Sequence, residues 1–136
     1  MSEHLFAVLI HDRPDPFDAL RRTLNDLSVE TYSVSTCKEA EELITHCKPQ
    51  IVFAENSVAD GSWRTILKMA EAEDVPLSVI VVGAVPDTRH YVSVMEHGAF
   101  DYVAPPFEHE PLDHVIKSAA LDALRRRNAL ARTASV

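Results

Sequence analysis

His11, Asp12 and Glu55 are the residues whose types and places could do chemistry. His11 and Asp12 follow the apolar run Leu5 to Ile10, and Glu55 closes the run Ile51 to Ala54. One imidazole and two carboxylates are ligand types that could hold a transition metal. No metal-type spacing joins them, and a hydrogen-bonded polar rim uses the same groups without any ion. The other histidines (His46, His90, His97, His109, His114) are scattered and read as surface residues. Glu110 and His114 stand one turn apart, as a helix-surface pair does. No Ser-His-Asp or Cys-His arrangement can be argued, and three glycines are too few for a glycine-rich phosphate loop.

The elements that must position these groups alternate strand and helix. Phe6 to Ile10, Ile51 to Ala54 and Leu77 to Val82 are nearly all apolar, as strands of a parallel sheet buried on both faces should be. Thr31 to Ser35 alternates polar and apolar, which fits an edge strand, and Tyr102 to Ala104 makes a short last one. Between them, apolar residues recur at helical spacing: Phe17, Leu20, Leu24 and Leu27; Ala40, Leu43, Ile44 and Cys47; Trp63, Ile66, Leu67 and Ala70; Tyr91, Val94 and Met95. Thr36 and Glu39 have capping-box spacing at the start of the second helix. A final helix opens near Pro111 and turns Leu112, Val115, Ile116, Ala119 and Ala123 inward. Five such βα units predict a flavodoxin-like, doubly wound parallel sheet with strand order 2-1-3-4-5. Ligands of such sheets bind beyond the carboxyl ends of the strands, where the order reverses. That places His11, Asp12, Glu55, Gly83, Ala84 and Pro105-Pro106 at one crevice.

Composition narrows the class of function. The 136 residues suit one domain, with residues 1-124 as its body and 125-136 as a helix extension or a linker to an output domain. The Arg125-Arg126-Arg127 run fits either a helix C-terminus favoured by the macrodipole or the start of that linker. Thirteen basic against twenty-one acidic side chains give a net charge of -8, which argues against nucleic acid as a partner of this domain. The apolar runs are too short to span a bilayer. Met1 to His4 has no basic flank of the signal-peptide kind. Cys37 and Cys47 read as reduced thiols, so a cytoplasmic location is expected.

At five places in order the chain resembles the receiver domain of bacterial response regulators, over Leu5 to about Leu124. Val8 to Pro14 is similar to the family's first strand and acidic pair, and Pro49 to Glu55 to its acceptor strand. Asp60-Gly61 resembles the Asp-Gly that follows. Val79 to Ala84 matches the strand that normally ends in Thr or Ser, and His97 to Phe107 is similar to Gly-Ala-x-Asp-Tyr-x-x-Lys-Pro-Phe.

The resemblance implies a two-component signalling module rather than an enzyme, and assigns roles position by position. Two acidic residues and an acceptor aspartate hold Mg²⁺ in the family; His11 stands at the first acidic place, Asp12 at the second and Glu55 at the acceptor. A neutral imidazole is a poor Mg²⁺ ligand, so at most a weak Mg²⁺ site at Asp12 and Glu55 is expected, and no other cofactor. Phosphoryl transfer is mostly positioning, and a displacement of about 1 Å can cost on the order of a hundredfold. The family's hydroxyl is Gly83, its lysine is Pro105, and its switch aromatic is Tyr102. Glu55 as a standing mimic of a phosphorylated aspartate would lack both the lysine and the hydroxyl such a mimic pulls on; Arg13 is the one substitute cation nearby. The resemblance further implies a cis bond at Pro105-Pro106, and a protein partner or output domain. A homodimer is expected through the fourth helix, fifth strand and fifth helix, or through the first and fifth helices. Expected overall is an atypical, phosphorylation-independent receiver. The rival readings are a receiver with a weakened acceptor site and a metal- or small-molecule-binding domain of the same fold.

Overall fold

The structure, a computed structural model, describes residues 4–134. Its central sheet has five parallel strands: β1 (Phe6–Ile10), β2 (Glu30–Val34), β3 (Ile51–Glu55), β6 (Ser78–Val82) and β7 (Asp101–Val103), in the order β2-β1-β3-β6-β7. A small antiparallel hairpin, β4 (Ser57–Val58) with β5 (Gly61–Ser62), follows β3. With the hairpin set aside, this is the doubly wound order expected from the sequence.

Alternate residues of the buried strands feed two cores. Ala7, Leu9, Ile51, Phe53, Ile80 and Val82 pack with α1 (Phe17–Asp26) and α5 (His109–Ala134). Val8, Ile10, Val52, Ala54, Val79 and Val81 pack with α2 (Cys37–Cys47), α3 (Trp63–Ala72) and α4 (Thr88–Glu96). The period of two in the strands thus meets helix stripes on both sides, which is why the runs read as continuously apolar.

Three sequence expectations need adjusting. Tyr91 does not face the core but is exposed, because α4 lies at the sheet's margin and buries only Val94. The capping pair of α2 forms in part: Thr36 Oγ1 accepts from Glu39 N at 3.1 Å, and Glu39 accepts from the Thr36 hydroxyl rather than from a backbone N–H. The arginine run is not a helix C-terminus, since α5 continues unbroken through it to Ala134. Arg126 donates to the Leu77 carbonyl at 2.8 Å, and Arg127 donates to the carbonyls of Pro76 at 2.7 Å and Pro49 at 2.8 Å. No helix among the described residues is long and apolar enough to cross a membrane.

Candidate functional site

The carboxyl edge of the sheet carries a cleft of about 570 Å³, lined by Arg13, Asp15, Glu55, Asn56, Ser57, the Val82 to Val85 segment, Asp87, His90 and Tyr102. Glu55 enters it from the last position of β3 and is half-buried. Its Oε1 accepts from the Asp12 backbone N–H at 3.2 Å. Burial pushes the Glu55 carboxyl above its ordinary value; the Asp12 N–H opposes the rise and the neighbouring Asp12 carboxylate adds to it. None of the ion pairs found among the described residues includes Glu55 or Arg13.

His11 stands near Glu55, whose carboxyl it lowers slightly, but its ring is turned away from the cleft. Its ring stacks on Phe17 at 4.3 Å, its Nδ1 lies 2.6 Å from the Arg13 carbonyl, and its Nε2 lies 3.3 Å from Ser33 Oγ on β2. Both ring nitrogens are therefore engaged on the α1 and β2 side, and His11 is not among the cleft's lining residues. Among the described residues no three His, Cys, Asp or Glu side chains are placed to hold a metal. Glu55, Asp15 and Asp87 are the carboxylates that line the cleft, and Asp12 adjoins it through its backbone bond to Glu55.

The loop after β3 is also diverted. The Asp60 carboxylate accepts from the backbone N–H groups of Cys37 at 2.7 Å and Lys38 at 3.1 Å, so it caps the start of α2 instead of facing the cleft. Those N–H groups, Cys37's above all, hold the Asp60 carboxyl below its ordinary value. Burial, helped by Asp60, pushes the Cys37 thiol up to about 11. The buried thiol is thus a packing group, not a nucleophile.

Gly83 is buried at the end of β6, and half-buried Tyr102 lies against it from β7. Pro105 makes the cis bond to Pro106 and takes no part in lining the cleft. Sequence reasoning missed His90, which is half-buried in the cleft wall, edge-on to Trp63 at 5.9 Å and to Tyr102 at 5.1 Å. Its Nε2 is buried and has no hydrogen-bond partner among the described residues. The usable signal was its place one turn before Val94, on the face of α4 that meets the core.

This fold, with a crevice bounded by the ends of its first, third and fourth large strands, is that of response-regulator receiver domains. The structures of NtrX from Brucella abortus (TM-score 0.76, 21% identity, covering 93% of this chain and 29% of that one) and of a CheY-like response regulator receiver domain protein from Methanospirillum hungatei (TM-score 0.72, 15% identity, 91% and 99%) superpose on it. Relatives in sequence are response regulators too. The response regulator protein PilR of Pseudomonas aeruginosa is 25% identical over 96% of this chain, and the transcriptional regulatory protein PhoP of Escherichia coli 27% over 80%. The chain spans 28% and 47% of the length of these two relatives. No protein-family profile matches the chain.

Proposed function

We propose that the chain is an atypical receiver domain, a cytoplasmic signalling module that presents an interaction surface without aspartyl phosphorylation. The observation that carries this reading is the isolation of Glu55. Its carboxylate is satisfied by a backbone amide, burial disfavours its charge, and no cation pairs with it among the described residues. A phosphoryl group gains its stabilisation from fixed cations and donors in the transition state. Here Pro105 and Gly83 offer no side-chain donor in place of the lysine and the hydroxyl, and His11 is turned away from the Mg²⁺ place. Asp12 and Glu55 alone give at most weak Mg²⁺ binding.

The face formed by α4, β7 and α5 carries the exposed Tyr91, Val92 and Leu121 and is where a partner, an output domain or a second copy would dock. The α1 and α5 face is the alternative. Such a module forms no product and needs no cofactor of its own.

The test is an amide NMR titration with Mg²⁺ and then beryllium fluoride. The Asp12, Glu55 and Gly83 signals are expected to stay in place. Shifts there that spread to Tyr102 would sink the reading and restore a phosphorylatable receiver. The open cleft supports one second reading, a small-molecule-binding domain; melting shifts with Zn²⁺ or Mn²⁺ but not Mg²⁺ would favour its metal-binding form.

A further inference from the structure

Gly83 matters for what its missing side chain leaves room for. A β-carbon at this position would lie 1.8 Å from Tyr102 Oη and 2.5 Å from Cζ. Both contacts are far inside van der Waals separation, so the phenol stands where any side chain at position 83 would have to go. The hydroxyl is also tied, donating to the Val85 carbonyl at 2.8 Å. Burial, with the Asp87 carboxylate adding to it, raises the phenol above its ordinary value. Two residues beyond Val85, the Asp87 side chain caps α4 by accepting from His90 N at 3.1 Å. The ring meets His90 edge-on at 5.1 Å and Tyr91 at 6.5 Å. Tyr102 thus forms a wall shared by the cleft and by an outer groove between Pro86, Thr88, Tyr91 and Ala104.

We propose that Gly83 and Tyr102 form a steric lock. The phenol fills the volume a side chain at position 83 would take and anchors Val85, so the loop before α4 and the outer groove keep one arrangement whatever lies in the cleft. This deepens the reading above and rests on it, since a fixed interaction surface needs something that fixes it.

A double-mutant cycle of Gly83→Ala and Tyr102→Ala tests the lock. In the wild-type background Gly83→Ala is expected to displace the phenol, break its bond to Val85 and move the Tyr102 ring signals and the amides of Val85, His90 and Tyr91. In the Tyr102→Ala background the same substitution should be nearly silent. Tyr102→Phe, which folds without the clash, keeps the ring in place and should speed amide exchange from Ala84 to Thr88 by about tenfold, the worth of one hydrogen bond. Additive effects in the cycle, or a Gly83→Ala spectrum with Tyr102 unmoved, would overturn the lock. The two claims fail separately: a beryllium fluoride response confined to Asp12, Glu55 and Gly83 with a coupled cycle removes the functional reading alone, and a silent titration with an additive cycle removes the lock alone.

Discussion

The two edges of the sheet are built on opposite terms. At the amino edge, long cations of α5 meet backbone carbonyls: Arg126 takes Leu77, while Arg127 takes Pro76, Lys48 and Pro49. Ser78, buried at the same edge, donates to the Ala119 carbonyl at 2.8 Å. At the carboxyl edge, where the fold places its ligands, Glu55 has one backbone amide, Arg13 faces an open cleft, and the Asp60 carboxylate has been drawn off to cap α2. Among the described residues Arg126 and Arg127 of α5 each meet several acceptors, whereas Glu55 and Asp87 at the crevice are held by backbone amides. The difference separates scaffold from chemistry: the fold matches that of receiver domains, while none of the ion pairs found among the described residues lies at the cleft. Similarity of fold therefore supports the module and says little about its trigger.

The largest effect should come from breaking what both edges share. Phe53 is fully buried in the middle of β3, so Phe53→Ala removes a ring from the core beneath both edges. A loss of about 3–5 kcal/mol is expected in urea unfolding. The amide signals of Glu55 and of Leu77 should broaden together. If only one edge responds, the two are less firmly joined than the packing implies.

Arg127→Ala sharpens the contrast by acting on one edge. Three carbonyls lose a charged donor, and the expected cost is about 1–3 kcal/mol. Amide exchange should rise in the last turns of α5, with the cleft signals unchanged. An equal response at Glu55 and Gly83 would show that the amino edge feeds the site.

These arginines also mark the limit of what the sequence made legible. The strands were readable because Phe6 to Ile10, Ile51 to Ala54 and Ser78 to Val82 lie at the centre of the sheet, where both faces demand apolar residues. Order and topology followed from five such units. The contacts of the arginine run were not legible because its partners lie 49 to 79 residues away, and no local pattern announces a carbonyl at that distance. His11 was placed at the correct edge, but a strand-end side chain can turn to either side, and stacking on Phe17 turned it from the cleft. The sequence tied Gly83 to Tyr102 through the hydroxyl the family carries there, not through the space the ring fills. Their mutual exclusion appears only when β6 and β7 are set side by side.

Asp60 and Glu55 sharpen the comparison further, being carboxylates a few residues apart whose environments act in opposite directions. Asp60, held by two N–H groups, ionises more readily in the fold than its ordinary value of 3.8. Its stabilising contribution is complete above that value and fades as pH falls through the depressed folded value. Asp60→Ala should therefore lower the melting temperature at neutral pH, with the difference from wild type shrinking only in strong acid. A difference that vanished already near pH 5 would mean that the cap is not ionic.

Glu55→Gln should give the smallest effect, of the opposite sign. Burial raises the Glu55 carboxyl above its ordinary 4.5, so the ionised form weighs against folding. That penalty is complete above the raised folded value and gone below the ordinary one, which makes wild-type stability fall as pH rises through this window. Glutamine keeps an oxygen to accept the Asp12 N–H and carries no charge. The variant should accordingly melt at or slightly above the wild-type temperature at pH 7, with the gap closing as pH falls toward 4.5. A clear loss of stability at pH 7 would mean that the Glu55 charge is held by a partner. The carboxyl edge would then resemble the amino edge, and the contrast between them would fail at the residue on which the functional reading depends.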